Sequence, residues 1–141
     1  ISIDYSLNEA TPNVETLRLN LEESVLAYSL TDLIAEKYRS LLQQVPRNRT
    51  RRQDVYDLNL LIRELGNHIN GIEKSKILDC LISKSRAREI EPNLNSFDDP
   101  ELKSRAQEYY QTLKNEIEGE LPDFDEMFKE VSKFYKSLPW K

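Results

Sequence analysis

The spacing of apolar residues from Thr31 to the C-terminus is the feature that most constrains the fold of this chain, because it has the three- and four-residue period of helices. Pro46 follows the first such stretch, where a proline is common after a helix has ended. The pattern predicts five helices. They are expected over 31–44, from about 54 to 66, over 73–88, from 99 onward and from 122 onward.

Capping signals predict the starts of the last two helices. Asp99 precedes Pro100, and proline is favoured at the first position of a helix. The fourth helix is then expected to carry Tyr109 and to reach Ile117. The fifth helix is expected to open at Asp123, and its stripe of apolar and aromatic residues is typical of a buried face.

The N-terminal residues have a different pattern, which predicts short β-strands over 1–7 and about 15–30. Leucines alternate with polar residues over 17–21, and 25–28 form a second short apolar run. We therefore expect an α+β, mainly α fold, with short strands at the N-terminal end followed by a five-helix bundle. Because the chain opens in the middle of a strand pattern without a methionine, we expect a fragment that lacks its first half; removal of a tag or leader is the alternative.

The composition excludes several classes of catalytic and metal site. A single cysteine, Cys80, excludes a disulfide framework and a cysteine-built metal site, and a single histidine, His68, excludes a His-rich one. Three glycines leave no room for a P-loop or a dinucleotide fingerprint. No apolar run approaches the roughly 20 residues that a bilayer span needs, so we expect a cytoplasmic chain without a membrane partner.

The distribution of charge predicts an anion site on a chain whose formal net charge is −5. Six cations and no acid lie between positions 37 and 52: Lys37, Arg39, Arg47, Arg49, Arg51 and Arg52. Such a basic island can focus an anion, and arginine forks match phosphate oxygens; a solvated basic loop is the alternative. The acidic stretch over 98–130 argues against coating a duplex but leaves room for a local contact with an RNA end.

Lys37 breaks the helical pattern. It lies four residues from both Leu33 and Leu41, on the apolar row of the first predicted helix. An unpaired ammonium is costly to bury. Lys37 therefore either extends to the rim of the apolar face, as long cationic side chains often do, or meets a carboxylate or the phosphate of a ligand.

Three acidic residues add to this group. Asp54 and Asp57 are three apart and share a face at the start of the second predicted helix, where they could equally be the N-cap and N3 residues. Asp4 is a lone acid in an apolar strand, whose outward face also tolerates a carboxylate. Carboxylates can hold magnesium or accept a proton, and lysine and arginine can neutralise phosphates, so the set permits a chemistry of nucleotide handling.

Two segments resemble the AbiEii/AbiGii family of nucleotidyltransferase-like toxins. Residues 31–37 fit that family's T-x-x-x-A-x-K pattern, and residues 52–58 are similar to its arginine-then-D-x-x-D-L segment. The opening residues 3–6 and the late residues 122–125 also resemble parts of the family pattern, less specifically.

The resemblance implies the end of a nucleotidyltransferase-like β core over 1–30 and a helical domain over 31–141. It implies magnesium-dependent transfer of a nucleotide from a nucleoside triphosphate to an acceptor, which is tRNA for some members, and neutralisation by a cognate antitoxin. The implied site residues are Lys37, Asp54 and Asp57 for catalysis, with either aspartate as the catalytic one, Lys37, Arg51 and Arg52 for nucleotide binding, and Asp4 for the metal.

The sequence departs from the family pattern at two places. The Gly-Ser turn and the D-x-D strand of the family are missing, so the chain alone is expected to be inactive, to bind Mg²⁺ and nucleotide weakly, and to need the N-terminal half of the same protein. Gln53 stands where the family often has a basic residue.

The alternative function is a non-catalytic helical interaction module whose acidic C-terminal helices dock a basic partner. That hypothesis predicts that charge reversal at Glu116, Glu118 and Glu120 abolishes binding and that mutation of Lys37 is harmless. A structural domain of a larger assembly is the third possibility.

Overall fold

A computed structural model describes the backbone of residues 23–117 and 119–141, with side chains from residue 30 onward. Within these residues the chain forms five α-helices. They are α1 (Glu23–Leu42), α2 (Arg52–Leu65), α3 (Gly71–Arg86), α4 (Pro100–Gln107) and α5 (Phe124–Lys136). Short 3₁₀ turns at Gly66–His68, Ser96–Asp98 and Tyr110–Asn115 lie between them. No described helix is long and apolar enough to cross a membrane.

The helix α1 is central to the packing. It lies along α3 and also contacts α2 and α4, while α2 packs against α5. Tyr38 of α1 is fully buried, and its ring centroid lies 5.4 Å from that of Phe97 and 5.3 Å from that of Tyr135. Its hydroxyl donates to the carbonyl oxygen of Val131 at 2.7 Å. These contacts fix the turn of α1 that also carries Lys37.

The prediction of an α+β fold is wrong: the described residues are helical and contain no strand. Residues 23–30, predicted to end the second strand, form the first two turns of α1. A short apolar run such as 25–28 is compatible with a strand or a buried helix, and here it continues directly into the helical pattern. The remaining predicted strand residues, 1–22, lie outside the described residues.

Within the part of the chain that the structure describes, the five predicted helices are present in the predicted order, and the two predicted caps are confirmed. The carboxylate of Asp99 accepts a hydrogen bond from the backbone N–H of Glu101 at 2.9 Å, and that of Asp123 accepts one from Glu126 at 3.2 Å. These caps depend on residues close in sequence, which is why the sequence alone predicts them. The helix α1 crosses position 30 without a break, and the division into domains at that position stays a prediction.

The fourth helix is shorter than predicted. It ends at Gln107 instead of Ile117, because Tyr109 adopts a left-handed conformation with φ of 61° and the chain continues as a 3₁₀ turn. Tyr109 is 63% exposed, and the neighbouring Tyr110 is buried in its place, with its hydroxyl donating to the carbonyl of Pro122 at 2.7 Å. Left-handed conformations favour glycine or asparagine, so a tyrosine there carries no sequence signal for the helix end.

Candidate functional site

Lys37 is buried between α1 and α2. Only 4% of the residue is exposed, and its ammonium Nζ lies 3.1 Å from Asp54 Oδ1 and 3.0 Å from Asp57 Oδ2. Of the two alternatives drawn from the sequence, extension to the rim is wrong and contact with a carboxylate is confirmed. The packing of α1 on α2 brings the lysine and the aspartate motifs together, although 17 and 20 residues separate them.

The two aspartates do not cap α2. The helix begins at Arg52, two residues earlier than expected, and its N-cap residue, Arg51, makes no side-chain capping bond. Asp54 is therefore the third residue of the helix and Asp57 lies almost one turn later, which directs both carboxylates towards Lys37. The capping interpretation is wrong, although an acid in the first turn still suits the helix dipole.

The two carboxylates differ in their surroundings. The side chain of Asp57 is 1% exposed, and its oxygens accept from Lys37 Nζ and from Gln53 Nε2, the latter at 3.0 Å. The side chain of Asp54 is 12% exposed. Burial raises the pKa of Asp54, although the neighbouring Lys37 and Arg51 act in the opposite direction. Asp57 is thus fixed on both oxygens, while Asp54 is the more accessible acid.

A pocket of about 440 Å³ opens over this group. The last turns of α1, the residues before α2 and the first turns of α2 form its walls, which carry four basic and three acidic side chains. The basic ones are Lys37, Arg39, Arg51 and Arg52, and the acidic ones are Glu36, Asp54 and Asp57. The pocket therefore has a small excess of positive charge on an acidic protein.

Two guanidinium nitrogens at this pocket lack hydrogen-bond partners. The Nε atoms of Arg51 and Arg52 are both buried, and neither has a partner among the residues that the structure describes. A buried donor without a partner costs about 1–3 kcal/mol. An Nη nitrogen of Arg52 lies 3.7 Å from a carboxylate oxygen of Glu116, whereas Arg51 forms no ion pair within the described part of the chain. The pocket thus offers donors that an anion could satisfy.

Gln44 supports the pocket from behind and was not predicted from the sequence. It is fully buried; its Oε1 accepts from the backbone N–H of Arg51 at 2.8 Å, and its Nε2 donates to the carbonyl of Leu102 at 3.0 Å. It therefore fixes the residue before α2 against α4. Its one sequence signal is its position three residues after Leu41 on the buried row of α1.

Glu36 also lines the pocket and joins α1 to α3. It forms ion pairs with Arg39 and, at 3.4 Å, with Lys84 of α3. Burial acts to raise the pKa of Glu36, but the hydrogen bond and charge of Arg39, helped by Lys84, outweigh it and lower the pKa. This network orients Arg39 at the wall of the pocket.

Cys80 and His68, the residues whose scarcity excluded several sites, do not line this pocket. Burial raises the pKa of the Cys80 thiol to about 11, and Asp32 Oδ1 lies 3.4 Å from its Sγ. A thiol with such a pKa is protonated at neutral pH, which makes it a poor nucleophile.

The described residues do not fit a magnesium site. No three His, Cys, Asp or Glu side chains in this part of the chain lie close enough to hold a metal. Asp54 and Asp57 together bind the Lys37 ammonium, which occupies the position between the two carboxylates where a metal ion would otherwise bind. Asp4, the predicted metal ligand, lies outside the described residues.

Comparison with known proteins gives a family but no individual relative. The family model described as "Nucleotidyl transferase AbiEii toxin, Type IV TA system" matches residues 1–130, which include α1 to α4, about half of α5 and the whole pocket. No curated protein and no solved structure matches the chain. A nucleotidyl transferase in general uses a nucleotide substrate and a divalent metal, and a toxin of this type implies an antitoxin partner. The chain belongs to the AbiEii family of nucleotidyl transferase toxins of type IV toxin–antitoxin systems.

Proposed function

We propose that the pocket beside Lys37 binds the phosphates of a nucleoside triphosphate and serves transfer of its nucleotide to an acceptor hydroxyl. The observation that carries this proposal is the buried contact of Lys37 with both Asp54 and Asp57 at a pocket where Arg51 and Arg52 keep unsatisfied donors. A purely structural ion pair would need no such surplus of buried donors, because native interiors satisfy nearly all of them.

Arg51 and Arg52 are the proposed phosphate ligands. A guanidinium presents several N–H donors in a fork that matches phosphate oxygens, and charge-assisted hydrogen bonds of this kind are short and strong. Lys37 adds a third positive charge at the floor of the same pocket. A bound triphosphate would satisfy the Nε donors and reverse the excess of positive charge.

Asp54 is the proposed general base, and Asp57 the residue that positions Lys37. Asp54 is the more accessible of the two, and its raised pKa suits a group that accepts a proton in the reaction. The acceptor oxygen bonds to the α-phosphorus while the bond to the oxygen bridging the β-phosphate breaks and pyrophosphate leaves. The hydroxyl proton moves to the Asp54 carboxylate. Asp57, hydrogen-bonded on both oxygens, holds Lys37 in place.

The acceptor proposed for this reaction is RNA, of which tRNA is the example that the family resemblance offers. Magnesium is part of the same proposal through the family alone, and no step above depends on it. The alternative of a non-catalytic interaction module stays a prediction. It differs from the proposed function in requiring neither Lys37 nor Asp54.

The test is an Asp54→Asn variant of the full-length natural protein, because asparagine keeps the shape of the side chain but cannot act as a base. Transfer of label from a nucleoside triphosphate labelled at its α-phosphate should fall by about 10²- to 10⁴-fold, while binding of the triphosphate persists. Asp79→Asn is the matched control, since Asp79 is exposed on α3 and does not line the pocket. Full activity in the Asp54→Asn variant would refute the role of Asp54, whereas absence of any transfer by the unsubstituted protein would favour the interaction module.

A further inference from the structure

The connection between α1 and α2 carries a second basic pocket, of which the proposed reaction uses only Arg51. Arg47, Arg49 and Arg51 occupy alternate positions there and, with Gln43, line a pocket of about 210 Å³. Arg51 also lines the larger pocket, so the two adjoin each other through its side chain. We call residues 47–51 the arginine loop.

The arginine loop is short of negative charge. Arg47 and Arg49 are exposed, and none of the three arginines takes part in an ion pair within the described residues. The chain has 25 acidic residues against 20 basic ones, so acidic partners are abundant. Three neighbouring arginines without ion-pair partners among the described residues therefore form a local concentration of positive charge that can attract an anion.

Backbone hydrogen bonds hold the arginine loop in one shape. The N–H of Arg47 donates to the carbonyl of Gln43 at 3.0 Å, and that of Arg49 donates to the carbonyl of Gln44 at 2.8 Å. Between them Asn48 takes a left-handed conformation with φ of 52°, which asparagine tolerates well.

The helix α4 holds the arginine loop from the other side. Arg105 Nη1 donates to Asn48 Oδ1 at 2.9 Å, and Gln44 ties the N–H of Arg51 to the carbonyl of Leu102. A loop that is ordered before binding loses less conformational entropy when a ligand arrives. The three arginines therefore project from a backbone that is ordered before binding.

We propose that the arginine loop is a second anion site, which binds the phosphate backbone of a single-stranded nucleic-acid acceptor and leads its reacting end towards Asp54. This inference rests on the proposed function. The spacing of the charges favours a single strand of nucleic acid over an acidic protein as the ligand, because arginines at alternate positions can contact successive phosphates. The same arginines adjoin the pocket proposed for the triphosphate. Because the chain as a whole has a net charge of −5, we expect the nucleic acid to contact it only at the arginine loop.

The salt dependence of binding tests the proposal. Binding of a fluorescent oligouridylate to the full-length natural protein is measured by anisotropy over a range of salt concentrations. Three phosphate contacts give a slope of log K against log salt concentration of about −2 for a single strand. In the double variant Arg47→Gln and Arg49→Gln one contact remains, and the slope should become about −0.7. The double variant Lys129→Gln and Lys133→Gln removes the same charge from exposed positions of α5 and should leave the slope unchanged.

Binding of a fluorescent nucleoside triphosphate to the same variants separates this inference from the proposed function. The arginine-loop variant should bind the triphosphate like the unsubstituted protein.

An unchanged slope in that variant, an equal change in the lysine control, or binding of polyglutamate in place of oligouridylate would overturn the second site. Loss of triphosphate binding in the arginine-loop variant would also overturn it, since the two pockets would then be one site. Oligouridylate binding without any triphosphate binding by the unsubstituted protein would refute the proposed function instead.

Discussion

Two of the cation-lined cavities that the described residues form, one at α1 and α2 and one at α4 and α5, differ in what their cations contact. The cavity at α1 and α2 contains a buried lysine bonded to two buried carboxylates, together with arginines whose Nε donors have no partner in the described residues. The groove at α4 and α5, about 620 Å³, is lined by four lysines that are exposed or nearly so. The larger cavity thus lacks the buried cations that line the smaller one.

The groove at α4 and α5 resembles an ordinary charged surface. Lys103 Nζ lies 3.1 Å from Asp125 Oδ1, and Lys136 Nζ lies 2.8 Å from Asp98 Oδ1, and the four side chains are 40–70% exposed. Ion pairs of this kind contribute about 0–1 kcal/mol to stability. The comparison teaches that the size of a cavity and the number of its cations do not identify a site. Burial and unsatisfied donors do.

The largest difference between the two regions should appear when a lysine is replaced by methionine. Lys37→Met leaves the carboxylates of Asp54 and Asp57 buried without their ammonium, which should lower the free energy of unfolding by about 3–5 kcal/mol. Lys136→Met removes the exposed pair with Asp98 and should cost about 0–1 kcal/mol. Urea denaturation measures both. Equal costs for the two variants would break the distinction between the regions.

A smaller effect is expected from Gln44, which supports the pocket without lining it. Gln44→Leu leaves the N–H of Arg51 and the carbonyl of Leu102 without this partner, and the free energy of unfolding should fall by about 2–3 kcal/mol. Gln107→Leu, at an exposed position of α4, is the control and should change stability by less than about 0.5 kcal/mol. A Gln44 variant as stable as this control would mean that the residue before α2 does not depend on the buried amide.

The smallest effect should come from the pH dependence of two acids at the same pocket. The pKa of Asp54 is raised from 3.8 mainly by burial, so the folded chain binds the proton more tightly than the unfolded chain. Its contribution to stability is therefore present at low pH and lost as the pH rises from 3.8 through the raised pKa. The pKa of Glu36 is lowered from 4.5, so its contribution is present above 4.5 and lost as the pH falls through the lowered pKa.

Urea denaturation of Asp54→Asn and Glu36→Gln across the acid range measures these contributions. Relative to the unsubstituted chain, Asp54→Asn should become more stable as the pH rises through its window, and Glu36→Gln should become less stable as the pH rises through its own. If the stability of both variants, relative to the unsubstituted chain, changed with pH in the same direction, the pKa values of Asp54 and Glu36 would not be shifted in opposite directions.

The sequence predicts most of the helical part of the fold because its signals are local. The caps at Asp99 and Asp123 depend on residues two or three positions away, and the apolar rows depend on spacing alone. The run over 25–28 misled the prediction because four apolar residues have no period of their own. The left-handed Tyr109 was missed for a different reason, since tyrosine has no preference for that conformation and therefore gives no signal of a helix end.

The candidate site is predictable where the cost of burial is visible in the sequence. Lys37 stands on an apolar row, and that position alone indicates that it needs a partner. The partnership with both aspartates, and the unsatisfied Nε atoms of Arg51 and Arg52, depend on how α1 packs on α2. Gln44 is out of reach of such reasoning because its second partner, Leu102, lies 58 residues away.

The adjacent residues Glu36 and Lys37 have a consequence for how this chain can vary in length. Successive residues of an α-helix point about 100° apart, and here one side chain reaches Lys84 on α3 while the next reaches Asp54 and Asp57 on α2. A single residue inserted into α1 just before this pair would turn the following side chains away from the partners that the rest of the helix keeps fixed. This stretch should therefore accept neither an insertion nor a deletion.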